Sequence, residues 1–307
     1  MTLRHFLDLS EPVAELRTIL DAAHAIKAAR KGKPQGALDQ PGGLANRQIA
    51  LIFEFPSTRT RVSFQAGIHQ QGGASLVINK AELQLGRGET IADTARVLSR
   101  YVDGIVLRAE RDRTLREMAS AASVPVVNGL TDVGHPCQIM ADIMTYEENR
   151  GSITGKRVAW IGDTNNVARS WIEAAAKFKF ALTLAAPISF QPTPISLARA
   201  RESGAQLSIV TDAASAVREA DVIVTDTWVS MAHANRNERV DAFRAFQVNE
   251  ALMSQAAPNA VFLHCLPAHR GEEVTDGVLD GPQSLAWDEA ENRMHAQKAI
   301  LRWCLGV

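Results

Sequence analysis

A cluster of hydroxyl and guanidinium groups follows the first strongly apolar run of the chain. Residues 49–53 (IALIF) have the composition of a buried parallel strand, and Ser57 and Thr58 are good capping residues for a following helix. A helix N-terminus presents backbone N–H groups without helical partners and carries partial positive charge. Together with Arg59 and Arg61, these groups favour a site for a phosphate-like anion.

The two arginines cannot both face such an anion. Residues two apart on a helix lie on different faces, so only one of Arg59 and Arg61 can point toward it, and the other is free to pair with a carboxylate. For a single Ser or Thr, a plain helix cap beside solvated arginines is the better explanation. Four polar residues directly after a buried strand favour anion binding instead.

Further polar side chains stand at the ends of two later predicted strands. Arg108 ends the strand predicted at 104–107, and His135 and Gln138 follow the strand predicted at 125–128. Taken singly, an Arg or His at a strand end more often ties a loop to the backbone. Three such groups beside the Ser-Thr-Arg cluster favour a shared role in binding or catalysis.

The second half of the chain carries two candidate loops at strand ends. Gly162 begins the loop GDTNN, at the place where a dinucleotide-binding protein has its Gly-x-Gly-x-x-Gly pattern, but the later glycines are absent. A nicotinamide dehydrogenase therefore loses its main support. Asp226 follows the strand predicted at 222–225 and supplies a carboxylate for an ammonium group, although a lone strand-end Asp is more often a helix cap.

His264, Cys265 and His269 suggest a zinc site. Neighbouring residues on a strand point to opposite faces, so we expect that His264 and Cys265 do not share one metal ion. A nucleophilic thiol at Cys265 is chemically possible. On the ground of strand alternation we therefore predict no zinc site at these residues.

Three motifs together resemble the aspartate and ornithine carbamoyltransferase superfamily. In chain order they are Ser57-Thr58-Arg59-Thr60-Arg61, His135-Pro136-Cys137-Gln138 and the run HCLPAHRGEE at residues 264–273. The last of them resembles the ornithine branch of the family. The chain departs from the family pattern at Phe55, where Lys is usual, at Gln65, where an acidic residue is usual, and at Ala232, where Gly is usual.

The resemblance implies transfer of the carbamoyl group of carbamoyl phosphate to the δ-amine of L-ornithine, giving citrulline and phosphate. Carbamoyl phosphate is a preactivated mixed anhydride, so donors aimed at the developing charge suffice, and the resemblance implies a chemistry without ATP, a metal or another cofactor. The family transfers the group directly, which disfavours a nucleophilic thiol. Two alternatives stay open: a carbamoyltransferase for another amine, such as N-acetylornithine or putrescine, and a two-domain binding protein for small amino acids. Such binding proteins are normally exported, and no signal peptide is recognisable.

The resemblance also implies which residues form the site. Those that bind carbamoyl phosphate would be Ser57, Thr58, Arg59, Thr60, Gln84, Arg108, His135, Gln138, Cys265, Leu266 and Arg293. Those that bind ornithine would be Asn166, Asp226, Ser230 and Met231. Arg108, His135 and Cys265 are expected to be catalytic. Gln84 matches a family position that reaches into a neighbouring subunit's site, which implies a homotrimer.

The alternation of strands and helices predicts an α/β fold with two doubly wound parallel-sheet domains. Predicted strands lie at 49–53, 74–78, 104–107, 125–128, 157–161, 181–185, 206–210, 222–225 and 261–264. The polar, Gly-containing stretch at 149–156 predicts domains at 1–148 and 149–288, and by resemblance a helix at 289–307 packs back on the first domain. Ligands are expected at the carboxyl ends of strands and in the cleft between the domains.

Composition argues against several kinds of partner. A formal net charge of −1, with both signs interspersed, gives no field for nucleic acid or an anionic membrane. No apolar run approaches the roughly twenty residues of a membrane span. Three cysteines are too few for a disulfide framework, and together with the lack of a recognisable signal peptide they predict a cytoplasmic protein.

Overall fold

The computed structural model describes residues 3–40, 42–82, 88–229 and 235–307. The chain divides into two compact units. The first unit comprises Met1–Met144 and Glu291–Val307, and the second comprises Thr145–Ala290. Each contains a parallel sheet flanked by helices, which confirms the predicted α/β fold with two doubly wound domains.

The first unit contains a four-stranded parallel sheet in the order β2-β1-β3-β4. Its strands are β1 Gln48–Phe53, β2 Ala74–Asn79, β3 Gly104–Arg108 and β4 Val126–Leu130. The helices that begin in it are α1 Val13–Ala28, α2 Thr58–Gln70, α3 Ile91–Leu98, α4 Asp112–Ala121 and α5 Pro136–Arg150. β1 is buried along almost its whole length because helices cover both faces of a parallel sheet, and this explains its continuous apolar sequence.

The second unit contains a five-stranded parallel sheet in the order β7-β6-β5-β8-β9. Its strands are β5 Arg157–Ile161, β6 Ala181–Ala185, β7 Gln206–Val210, β8 Val222–Thr225 and β9 Val261–His264. The helices that begin in it are α6 Asn166–Phe178, α7 Pro194–Glu202, α8 Ala213–Val217, α9 Arg236–Phe243, α10 Glu250–Met253, α11 Asp276–Leu279 and α12 Ala286–Leu305. From Glu291 onward, α12 belongs to the first unit.

Strand order reverses at β1 in one sheet and at β5 in the other. β2 lies on one side of β1 and β3 on the other, and β6 and β8 flank β5 in the same way. In doubly wound folds, ligands bind outside the carboxyl ends of strands at such a reversal. The loops that follow β1 and β5 are therefore the places to look for a site.

An aromatic cluster packs under the loop that follows β8. The rings of Phe190 and Phe243 lie 4.6 Å apart, and those of Trp228 and Phe243 lie 5.9 Å apart. Trp228 and Phe243 are buried in the core of the second unit. Aromatic pairs at such spacings contribute about 0.5–1.5 kcal/mol beyond the burial of their area. The chain directly after Asp226 is thus fixed by packing.

In the part of the chain that the structure describes, no helix combines the length and the apolar character needed to cross a membrane.

Candidate functional site

The helix that follows β1 begins with a capped turn that carries positive charge. Ser57 has extended backbone angles, and its hydroxyl accepts a hydrogen bond from the backbone N–H of Thr60 at 3.4 Å. α2 therefore begins at Thr58, directly after this cap. The first turn contains Arg59 and no acidic residue. Acidic side chains normally stabilise a helix N-terminus, so this first turn is suited to an anion supplied from outside.

Arg61 lies on a different side of α2 and is exposed. Its Nε donates to the side-chain oxygen of Gln65 at 3.2 Å, one turn further along the helix. The idea that one of the two arginines pairs within the protein is thus supported. The expected carboxylate partner is wrong, because Gln65 offers a neutral amide where the family pattern has an acidic residue.

Two arginines from distant parts of the first unit share one buried hydroxyl as their acceptor. Thr60 Oγ1 accepts from Arg108 Nη1 at 3.5 Å and from Arg293 Nη2 at 2.8 Å. Arg108 also lies 4.4 Å above the ring of Phe55, a cation–π contact that gives the unusual Phe55 a structural role. Because two guanidinium groups at one oxygen repel each other, an anion bound here would relieve that repulsion.

Gln138 is oriented from both ends by buried partners. Its Nε2 donates to Asp142 Oδ1 at 2.7 Å, and its Oε1 accepts from Arg293 Nη1 at 2.5 Å. Gln138 is therefore held in one orientation between Asp142 and Arg293.

His135 is a neutral imidazole in this site. Burial lowers its pKa well below the usual value, and the positive charges of Arg293 and Arg108 lower it further. Next to it, burial raises the pKa of the Cys137 thiol to about 12, and its S–H donates to the Asn128 carbonyl oxygen at 3.3 Å. Cys137 is therefore a protonated structural residue, whereas His135 can donate or accept a hydrogen bond without adding charge.

In the second unit, the residue that meets Asp226 is Asn165. Its Oδ1 accepts from the backbone N–H groups of Val167 and Ala168 and so caps α6. Its Nδ2 donates to Asp226 Oδ2 at 2.7 Å. Asn165 was not among the residues selected from the sequence, whereas Asn166, the first residue of α6, stays a predicted ornithine-binding residue. The available signal was the strong preference for Asn directly before a helix.

Asp226 is nearly buried and accepts hydrogen bonds from three donors among the described residues. Besides Asn165, they are the backbone N–H of Thr227 at 2.7 Å and the thiol of Cys265 at 3.1 Å. An ionised carboxylate offers about four lone-pair positions, so a carboxylate with these three donors can also accept from an ammonium group. Asp226 thus lies at the carboxyl end of β8 as a fixed negative charge.

The turn after β9 differs from the expectation for an extended strand. The strand ends at His264, and Leu266 has a φ of +55°. The argument that His264 and Cys265 face opposite ways is therefore wrong, because Asp226, His264 and Cys265 offer ligand atoms within 4.8 Å of one another. His269, Glu272 and Glu273 form a second such group.

In the first group, the atoms concerned already make hydrogen bonds. Leu266 N–H donates to His264 Nδ1 at 2.9 Å, and the Cys265 thiol donates to Asp226 Oδ1. A metal ion would have to break these bonds. The expectation of a metal-free site stays a prediction.

The structure gathers the candidate residues into two sets. The first unit holds Ser57, Thr58, Arg59, Thr60, Arg108, His135, Gln138 and Arg293. The second holds Asn166, Asp226, Cys265 and Leu266. Gln84, Ser230, Met231 and Ala232 lie outside the described residues. The cleft predicted between the domains stays a prediction.

Comparison with known proteins covers nearly the whole chain. The family model for the aspartate/ornithine carbamoyltransferase carbamoyl-P binding domain matches residues 4–148, and the model for the Asp/Orn binding domain matches residues 154–304. A protein of Cereibacter sphaeroides named ornithine carbamoyltransferase is 58% identical, over 99% of this chain and 100% of its own length.

Solved structures agree with this match. The ornithine carbamoyltransferase of Pyrococcus furiosus is 46% identical, with a TM-score of 0.92, and the alignment covers 100% of this chain and 99% of that one. That of Burkholderia thailandensis is 42% identical, with a TM-score of 0.88 and 99% of both chains covered. The chain belongs to the aspartate/ornithine carbamoyltransferase family.

Proposed function

We propose that this protein transfers the carbamoyl group of carbamoyl phosphate to the δ-amine of L-ornithine, giving L-citrulline and phosphate for arginine biosynthesis. The observation that carries the proposal is the shared acceptor Thr60, which holds Arg108 and Arg293 beside the N-terminus of α2. The names of the relatives favour ornithine over N-acetylornithine or putrescine as the amine. The chain thus combines the Ser-Thr-Arg motif of the family with the positive charges that the proposed reaction needs.

The phosphate of the donor would lie at the first turn of α2. Ser57, Thr58, Arg59 and Thr60 supply hydroxyl, backbone N–H and guanidinium donors there, and Arg108 adds a second positive charge. Hydrogen bonds between charged partners are roughly twice as strong as neutral ones. Their interactions with the phosphate become stronger as negative charge develops on it in the transition state. Interactions that strengthen in the transition state are the ones that accelerate the chemical step.

The carbamoyl group would be oriented by His135, Gln138 and Arg293. The neutral δ-amine attacks the carbonyl carbon, and a tetrahedral oxyanion forms that His135 and Arg108 stabilise. Gln138 Oε1 accepts a hydrogen bond from the carbamoyl nitrogen. The carbon–oxygen bond to phosphate then breaks, phosphate leaves with the electron pair, and the former amine gives up a proton to the departing phosphate.

Ornithine would be bound by the second unit. Asp226 pairs with an ammonium group, and Asn166 binds the amino-acid backbone. Ser230 and Met231 complete this set by family resemblance. The Cys265 and Leu266 backbone carbonyls would face the substrates, as the family motif implies.

Cys265 contacts the carboxylate of Asp226 and is assigned no covalent role, because the donor already carries a good leaving group. The variant Cys265→Ser should keep measurable transfer activity, since the serine hydroxyl replaces the thiol as a hydrogen-bond donor to the Asp226 carboxylate. A total loss of transfer, with a covalent carbamoyl adduct on Cys265 in the unaltered chain, would favour the nucleophilic thiol.

Further proposals concern organisation. We assign residues 1–148 to carbamoyl-phosphate binding, 149–288 to ornithine binding and 289–307 to a helix that completes the first domain.

We also propose a homotrimer, with Gln84 reaching the neighbouring site. Leu76, Val97 and Tyr101, which are exposed on the first unit, supply apolar surface for a subunit contact. Light scattering after gel filtration tests the trimer, and a monomeric mass would contradict it.

The free state of Cys137, Cys265 and Cys304 fits a reducing compartment, and we place the protein in the cytoplasm. Microscopy of the tagged chain in cells tests this location.

One assay tests the proposed function. Purified protein supplied with carbamoyl phosphate and L-ornithine should form citrulline and release phosphate. Arg59→Ala should raise the KM for carbamoyl phosphate and lower kcat, for a loss of about tenfold to hundredfold in kcat/KM, because a charge-assisted bond contributes roughly 1.5–3 kcal/mol. Absence of citrulline, or formation of product from putrescine alone, would overturn the proposal.

A further inference from the structure

Two buried glutamates meet the end of β9. The backbone N–H of His264 donates to Glu289 Oε2 at 2.8 Å. Its ring Nε2 lies 3.3 Å from Glu273 Oε1, and the side chains of both His264 and Glu273 are fully buried. A buried carboxylate is costly unless hydrogen bonds satisfy it. A buried Glu273 therefore indicates that its carboxylate has a specific role in holding this turn.

The contacts of the His264 ring determine its tautomer. Leu266 N–H donates to Nδ1 at 2.9 Å, so Nδ1 carries a lone pair rather than a hydrogen. The neutral ring then has its hydrogen on Nε2, where it faces the oxygen of Glu273. Each ring nitrogen is matched to its partner in this tautomer and in no other. Glu273 thus selects the tautomer that can accept from Leu266.

Glu273 also closes the turn at its far side. Its Oε1 accepts from the backbone N–H of His269 at 2.5 Å, in addition to His264 Nε2. Between these two contacts lies Leu266, whose φ of +55° is a conformation that is energetically costly for a non-glycine residue. The bond from Leu266 N–H to His264 offsets part of that cost. One carboxylate oxygen therefore holds both ends of a strained turn.

The turn presents Cys265 to the carboxylate of Asp226, with the thiol 3.1 Å from Oδ1. We propose that Glu273 and His264 are positioning residues: Glu273 fixes the tautomer of His264, and His264 fixes the Cys265–Leu266 backbone against Asp226. The amine site then has its geometry before substrate binds. The kinetic consequences rest on the proposed function, whereas the tautomer does not.

The tautomer is measured directly by nitrogen NMR of the intact protein labelled with ¹⁵N-histidine. The chain has 8 histidines, and loss of one signal set in His264→Gln identifies those of His264. The unaltered protein should show a hydrogen on Nε2 and none on Nδ1. Glu273→Leu should give a mixture of tautomers at this ring. A hydrogen on Nδ1 in the unaltered protein would overturn the proposal.

Kinetics separate positioning from charge. Glu273→Leu should lower kcat about tenfold to hundredfold, since a displacement of about 1 Å can have such an effect, while the KM for carbamoyl phosphate stays near its original value. Glu273→Gln should recover most of the activity. It keeps Oε1, and its amide replaces Oε2, which accepts no hydrogen bond from the described residues. Equal losses in the Leu and Gln variants would overturn the proposal.

A matched pair at His264 keeps the test decisive if Glu273→Leu does not fold. Asn places an acceptor near the position of Nδ1, and Gln places its polar group near that of Nε2. His264→Asn should therefore retain more activity than His264→Gln, and the reverse order would overturn the proposal. Glu272→Gln is the control, because Glu272 is the neighbouring acidic residue and pairs with the half-exposed Arg236. If the unaltered chain forms no citrulline, the proposed function fails, and the tautomer measurement alone decides the positioning.

Discussion

The two halves of the candidate site use opposite constructions. In the first unit, Arg108 and Arg293 come from distant parts of the chain and meet at Thr60, so positive charge is assembled by tertiary packing. In the second unit, one negative charge, Asp226, is held by a donor from its own loop and by Asn165, the cap of α6 in the loop after the neighbouring strand β5. The difference teaches that the anion site depends on the whole first unit, whereas the amine site depends on a few loops of the second.

The largest effect is expected from loss of Arg293, which disrupts the positive cluster of the first unit. Arg293→Met should lower kcat/KM for carbamoyl phosphate by roughly 30- to 5,000-fold, because loss of one partner from a buried, hydrogen-bonded charged network costs about 2–5 kcal/mol. Thr60 Oγ1 and Gln138 Oε1 would both lose a donor. Steady-state kinetics check this, with Arg302→Met on the same helix as control. Equal losses in both variants would show a general weakening of α12.

The second-largest effect is expected from loss of the negative charge of Asp226 in the second unit. Asp226→Asn keeps the shape and most acceptor positions but removes the charge, so kcat/KM for ornithine should fall about 10- to 150-fold, the equivalent of roughly 1.5–3 kcal/mol. Calorimetric titration of carbamoyl phosphate should give an unchanged affinity, because its proposed phosphate contacts lie in the first unit. Asp212→Asn, which alters the exposed cap of α8, is the control. Weakened carbamoyl-phosphate binding in Asp226→Asn would remove the contrast between the halves.

A third experiment sharpens the comparison through pH. Burial, then Arg293 and Arg108, lower the pKa of His135 in the folded protein, whereas in the unfolded chain it lies near 6.5. Below about pH 6.5 the unfolded state binds more protons than the folded state does. As the pH falls, this residue therefore lowers the free energy of unfolding by up to about 1.4 kcal/mol per pH unit. His135→Gln should reduce that slope in urea titrations between about pH 7 and 5. Parallel slopes for the two proteins would contradict the neutral imidazole.

The pKa of His5 is also lowered by burial. Its contribution is present in both proteins and cancels in their difference, so the comparison isolates His135.

The smallest effect concerns the arginine that faces away from the anion site. Gln65→Glu converts the Arg61–Gln65 hydrogen bond into an exposed ion pair along α2, for a gain of about 0.2–0.5 kcal/mol in the free energy of unfolding. Urea unfolding at low salt checks the gain, which high salt should reduce. The kinetics of carbamoyl phosphate should stay the same. A changed KM would show that Arg61 belongs to the site.

Sequence reasoning located the strands because buried parallel strands read as short apolar runs between polar loops. β5 to β9 begin and end at the predicted residues. α9, α10 and α11 were not predicted, since α10 and α11 are single turns and α9 is polar along most of its length. Such helices are stabilised by tertiary packing rather than by their own pattern.

The hydrogen bonds within the candidate site were harder to predict from the sequence than the residues that form it. The bond between Gln138 and Arg293 joins residues 155 positions apart, so no local pattern indicates it. Asn165 had a local signal as a helix cap, but its bond to Asp226 depends on how β5 and β8 pair. The turn at Leu266 was missed because alternation along a strand was extended beyond the last residue that obeys it.

Arg293 has a consequence for synthesis of the protein. The bond from Arg293 to Thr60 spans 233 positions, and the whole of the second unit is made between these two residues. During translation, the first sheet emerges from the ribosome long before α12 does. Until then, Thr60 and Gln138 lack the hydrogen bonds that Arg293 donates to them in the finished protein. We expect the nascent first unit to stay incomplete, and open to chaperones, until the last helix leaves the exit tunnel.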